Sequence, residues 1–287
     1  MSLRDVLVLV DQGRAAPVRL RMGVDLAGRH GARVTALFVH SPDQEQLNER
    51  KTAELGLASA QQVLRLDRAT EKTIEGAADE LRAELEQLAR ASGVAVEWRS
   101  LSGPLSVIAP QQARYFDLCI LGHEARANQV SVDYNFSEHL LFVTGRPVIL
   151  VPPAWTSAAL GRSVAVAWNS SRASTRALND AMPLLELADR TTLLCMNPAH
   201  FLERRGAPPV AHMVDHLRRH DARIHMVSLH SIPHEAIAQT LQAQAQLAGA
   251  DLLVAGAFGH PRLWEKFLGG VTRDLLEDTR MPLLLAH

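Results

Sequence analysis

Short apolar runs alternate with longer stretches of helical periodicity along this 287-residue chain, and the alternation is written twice. In the first half, residues 6–10, 34–39, 94–98, 118–121 and 148–151 read as strands. Residues 18–29, 105–114 and 137–143 carry the three-to-four-residue spacing of helices. A polar, Glu- and Gln-rich region, 43–90, reads as helix with a break near 71–76. In the second half, strands are expected at 164–167, 192–196, 224–229, 252–255 and 283–285. Helices are expected at 174–187, 209–220, 234–247 and 271–277, with Ser171 or Ser174 as the N-cap of the first. Strands rich in Val, Leu and Ile on both faces, alternating with helices, imply an α/β protein whose parallel sheet is covered on both sides.

Two anchors tie the halves together. Asp117-Leu-Cys-Ile-Leu-Gly122 matches Asp251-Leu-Leu-Val-Ala-Gly256, and the run from Gly145 through Pro147 matches the run from Arg280 through Pro282. Their offsets, 134 and 135 residues, point to duplication. The expected domains are 1–153 and 161–287, with a Pro- and Ala-rich linker near 152–161.

The densest chemistry lies near the C-terminus. Gly256, Gly259 and Gly269 form a G-x2-G-x9-G pattern between an apolar strand and a helix, and Gly270, Val271 and Thr272 follow directly. Glycines let backbone N–H groups approach an anion closely, and a helix start offers unpaired donors with partial positive charge. This context suits phosphate, and His260 and Arg262 within the loop could reach it. Ligands of such sheets bind outside the C-terminal strand ends, which here carry Trp168, Asn169, Met196 and Gly256.

Composition narrows the function class. A net charge of −1 offers no basic stripe for nucleic acid. The two cysteines, Cys119 and Cys195, sit in apolar runs and form no CxxC, so they read as core residues of a protein kept in a reducing compartment. The N-terminal apolar run is short and broken by Arg4 and Asp5, unlike a secretory signal, and no run suffices to span a bilayer. A cytoplasmic protein without membrane partners is expected.

These features resemble the universal stress protein family in its tandem form, over essentially the whole chain. The resemblance rests on Asp11 and Asn169 closing each first strand, on the glycine loop, and on the apolar strands after Pro147 and Pro282. It implies two Rossmann-like domains of the adenine nucleotide α-hydrolase type, each with a five-stranded parallel sheet between helices. It also implies ATP or another adenine nucleotide in the second domain, with Mg as an accompanying ion, and a signalling role with at most slow ATP hydrolysis. No catalytic residue is assigned. Asn169 stands where an aspartate usually meets adenine, Ala167 and Trp168 line that pocket, and Met196 lies near the base. Gly256, Gly259, Gly269, Gly270, Val271 and Thr272 would hold ribose and phosphates. Two departures stand out: Gly270 replaces a usual Ser or Thr, and Asn169 replaces Asp.

The first domain departs further, with Ala125 for the second glycine and with Tyr134 and Asn135 opposite Gly269 and Gly270. Its expected role is to pair with the second domain across a pseudo-twofold axis, and a homodimer is left open. Two alternatives stand beside this reading. One is an interaction protein of the same fold without nucleotide. The other is a metal- or small-ligand-binding protein using His212, His216 and His220, although these span about 12 Å along one helix, too far to share one ion.

Overall fold

The computed structural model describes residues 2–40, 60–123, 136–196, 210–220, 222–257 and 270–287, and the side chains from residue 76 onward in the long helix of the first half. The strands are β1 (Asp5–Val10), β2 (Arg33–His40), β3 (Val96–Ser102), β4 (Leu118–Gly122), β5 (Val148–Val151), β6 (Ser163–Trp168), β7 (Arg190–Met196), β8 (Ile224–Leu229), β9 (Leu252–Gly256) and β10 (Leu283–Ala286). The helices among the described residues are α1 (Ala16–His30), α2 (Ala60–Ser92), α3 (Leu105–Ala113), α4 (Phe136–Thr144), α5 (Arg172–Leu187), α6 (Val210–Arg219), α7 (Ile237–Leu247) and α8 (Gly270–Glu277). The break expected near 71–76 is absent. α2 runs unbroken through Gly76, because one glycine costs a long helix only about 1 kcal/mol.

All ten strands form one sheet in the order β3-β2-β1-β4-β5-β10-β9-β6-β7-β8. Each half contributes a parallel five-stranded set ordered 3-2-1-4-5. The halves meet where β5 and β10 pair antiparallel, with Leu150 opposite Leu283 and Ile149 opposite Leu284. Pairing the two short strands that follow Pro147 and Pro282 leaves β3 and β8 as the sheet edges. Those two strands alternate between exposed and part-buried positions, whereas β4, β5, β9 and β10 are buried almost throughout. The contrast follows from burial on both faces in the centre and on one face at the rim of the sheet.

Two apolar layers cover the sheet. Val6, Val8, Val164, Val166 and Trp168 point to the layer shared with α1, α2, α5 and α6. Leu7, Leu9, Ala165, Leu194 and Met196 point to the layer shared with α3, α4, α7 and α8. The repeated aspartates have one structural job in both halves. The Asp117 carboxylate accepts the backbone N–H groups of Arg4 (2.7 Å) and Asp5 (3.0 Å) at the start of β1. The Asp251 carboxylate accepts those of Gly161 (2.7 Å) and Arg162 (2.9 Å) at the start of β6. The segment joining the halves is anchored as well. Leu160 is fully buried, and its carbonyl accepts a hydrogen bond from Arg29 of α1.

No helix among the described residues is long and apolar enough to cross a membrane.

Candidate functional site

The C-terminal ends of β6, β7 and β9 form one rim of the sheet, and the first turns of α5 and α8 open beside it. The chain leaves β6 through Trp168 and Asn169 and turns at once into α5. Three polar residues make that turn. The Asn169 side-chain oxygen accepts the Ser171 N–H at 3.1 Å. Ser170 takes the left-handed conformation, φ 56°. Ser171 caps the helix by accepting the Ser174 N–H at 3.1 Å, while Ser174 Oγ accepts the Ser171 N–H at 3.1 Å. Both serines singled out as caps therefore belong to one reciprocal capping box.

Gly256 ends β9 directly against this helix start. A Cβ there would lie 2.3 Å from the Ala173 carbonyl carbon and 2.5 Å from Ser174 N. Only glycine allows β9 and α5 to approach so closely. Ala257 follows, buried, with its N–H bonded to Ala286 O at 3.0 Å.

Of the residues expected at the site, Ala167, Met196 and Val271 share one apolar layer, with Thr272 buried in the first turn of α8. Trp168 is turned to the opposite face, 6% exposed within the α5 layer, with no hydrogen-bond partner for its buried Nε1. Adjacent strand residues point to opposite faces, so Ala167 and Trp168 do not line one surface. Gly270 opens α8. Gly259, His260, Arg262 and Gly269 lie outside the described residues, as do Ala125, Tyr134 and Asn135.

Two residues at the rims were not assigned to this site from the sequence. One is His234, which opens a 3-10 turn (His234–Ala236) between β8 and α7. Its ring lies against Gly270, with Cε1 3.0 Å from where a Cβ at 270 would be. The other is Arg19, in the first turns of α1. It is 2% exposed and its Nη2 lies 2.7 Å from Asp11 Oδ1. Neither Nη2 nor Nε meets an acceptor in hydrogen-bond geometry, so the pair attracts by charge rather than by an aligned bond. Its Nη1 lies 2.5 Å from where a Cβ of Gly122 would be. The guanidinium thus fills the crevice between the ends of β1 and β4 in the first half. At the corresponding point of the second half, Gly256 instead lies against the backbone of Ala173 and Ser174. No motif marks a buried arginine, which explains why the sequence concealed it.

Among the described residues no three His, Cys, Asp or Glu side chains cluster as metal ligands. The His216 and His220 rings of α6 meet edge to face at 4.8 Å, and His220 Nδ1 lies 3.7 Å from Glu186 of α5. A hollow of about 480 Å³ lies between β7, β8 and α7, lined by Arg190, His225 and Leu247 among others.

Comparison with known proteins agrees with this architecture. Residues 2–128 match the universal stress protein family, so the first half belongs to it. No curated protein sequence matches the chain significantly. A universal stress protein from Archaeoglobus fulgidus DSM 4304 superimposes with a TM-score of 0.69 at 15% identity, covering 98% of this chain and 97% of that one. A candidate universal stress protein from Pseudomonas aeruginosa UCBPP-PA14 does so with a TM-score of 0.59 at 15% identity, covering 99% and 93%. At such identity the likeness is one of fold. The family match thus covers the first half, and the second half repeats its strand order, 3-2-1-4-5, in the same sheet. The matched stretch includes Ala125, which stands where the second half has Gly259.

Proposed function

We propose that the chain is a stress-response regulatory protein that binds an adenine nucleotide, ATP foremost, at the second-half rim. What supports this reading is that the rim carries both the Asn169 amide at the end of β6 and a helix, α8, that opens on a glycine, Gly270. A helix start favours phosphate, and an amide offers both a donor and an acceptor to a base edge. Ala167 and Met196 supply the apolar floor between them. Gly259, His260, Arg262 and Gly269 of the sequence motif would complete the phosphate loop, and Mg would travel with the phosphates. Trp168 belongs to the packing of α5 in this reading, not to the pocket wall. The first-half rim, filled by Arg19 and Asp11, takes no nucleotide. Binding acts as a signal, and any hydrolysis is slow.

One observation favours a second reading, an interaction protein without nucleotide. The fit of Gly256 against Ala173 accounts for that glycine by packing alone. Mass spectrometry of small molecules released by denaturing freshly purified, untagged protein separates the two. A stoichiometric adenine nucleotide, lost in Gly259→Val, is the expected result. Absence of bound nucleotide, with no heat of binding at millimolar ATP, would establish the second reading.

A further inference from the structure

We propose that His234 is a ligand-contacting residue of this rim, donating a ring N–H to the phosphate of the bound nucleotide. The proposal rests on the nucleotide reading above and adds a contact from a different element. His234 is carried by the connection that leaves β8, the third strand of the second half, so it rises on the same side of the sheet as Asn169, Met196 and Gly256. Pro233 before it holds an extended backbone, φ −59° and ψ 147°. Ile232 and Ile237, on either side, pack into the layer beneath, which fixes the turn that presents the imidazole.

The ring occupies the side-chain space of residue 270. Its Cε1 lies 3.0 Å and its Nδ1 3.7 Å from the Cβ position there. A side chain at 270 would crowd the ring, so glycine at 270 and histidine at 234 are a matched pair. The ring has no hydrogen-bond or ion-pair partner among the described residues, and the residue is exposed. Its nitrogens flank the carbon that faces the α8 start. An anion held by the unpaired N–H groups of that first turn lies within reach of the imidazole. The contact selects for a phosphate-bearing ligand: adenosine, with no anion to offer, gains nothing from it.

Calorimetric titration of the whole protein with adenosine, AMP and ATP tests this. Wild type is expected to bind AMP and ATP more tightly than adenosine. His234→Ala is expected to lose roughly tenfold in AMP and ATP affinity and to leave adenosine unchanged, the effect of losing one hydrogen bond to a charged group. Gly270→Ala pushes a methyl toward the ring and should weaken AMP binding in wild type while adding no loss in the His234→Ala background. Gly270→Ser in that background fills the vacated space with a hydroxyl and should restore AMP affinity. If His234→Ala fails to fold, His234→Gln replaces it. Equal losses for adenosine and AMP would make His234 a structural residue and overturn the proposal. So would a wild type that does not prefer AMP over adenosine, or an unchanged AMP affinity in the variant. A wild type that binds none of the three removes the nucleotide reading itself, a result distinct from the others.

Discussion

His30 ends α1 beside Arg29, and burial, reinforced by that neighbouring charge, pushes its imidazole down to about 4. Its buried Nε2 has no partner. In the unfolded chain the same group titrates near 6.5. Stability is therefore intact above about pH 6.5 and falls as pH drops toward 4, because the unfolded chain takes up the proton first. With allowance for partial exposure, the loss is about 1–3 kcal/mol. Urea denaturation at pH 7 and pH 4.5 should show a smaller acid loss in His30→Gln than in wild type. The sequence could not announce this histidine, since its burial depends on what packs over a helix end. The cysteines were legible. Both lie in apolar runs, and burial pushes Cys119 up to about 12 and Cys195 up to about 11, which leaves them unreactive thiols.

Between β9 and α5, Gly256 was recognised by its motif, but the reason for it was not. The glycine spacing reads as a phosphate loop, whereas the contact with Ala173 is a demand of packing. Gly256→Ala should destabilise the fold by about 2–4 kcal/mol through overpacking against backbone, whether or not nucleotide is present. An unchanged denaturation midpoint would contradict the close contact. The orientation of Trp168 was within reach of the sequence, since the two-residue period of a strand forbids Ala167 and Trp168 from sharing a face. At the opposite rim, Asp11→Ala strips the buried Arg19 of its counter-charge and should cost about 2 kcal/mol, moderated because Asp11 is half exposed. Arg19→Met keeps the volume and removes the buried charge, so it should fall within about 1 kcal/mol of wild type. Chemical denaturation of both variants checks the pair. If Arg19→Met were much the worse, the guanidinium would owe its place to bonds other than the Asp11 attraction.

Across the whole molecule, the duplicated α/β architecture was legible because strand and helix periods alternate in the same order twice. The joining of the halves into one sheet was not, because nothing in the short runs after Pro147 and Pro282 states that they pair with each other. The buried junction of Ile149 with Leu284 predicts that the halves unfold together. Far-ultraviolet circular dichroism and tryptophan fluorescence should report one coincident urea transition, and two separated transitions would show independent halves. The junction also bears on how such a molecule can change over generations. A sheet built from two copies of one short chain repeats every substitution at two symmetry-related places, so its rims stay alike. Here β5 and β10 are encoded separately. One rim can gain an arginine plug while the other keeps a glycine at its helix start, and neither change is copied to the other side.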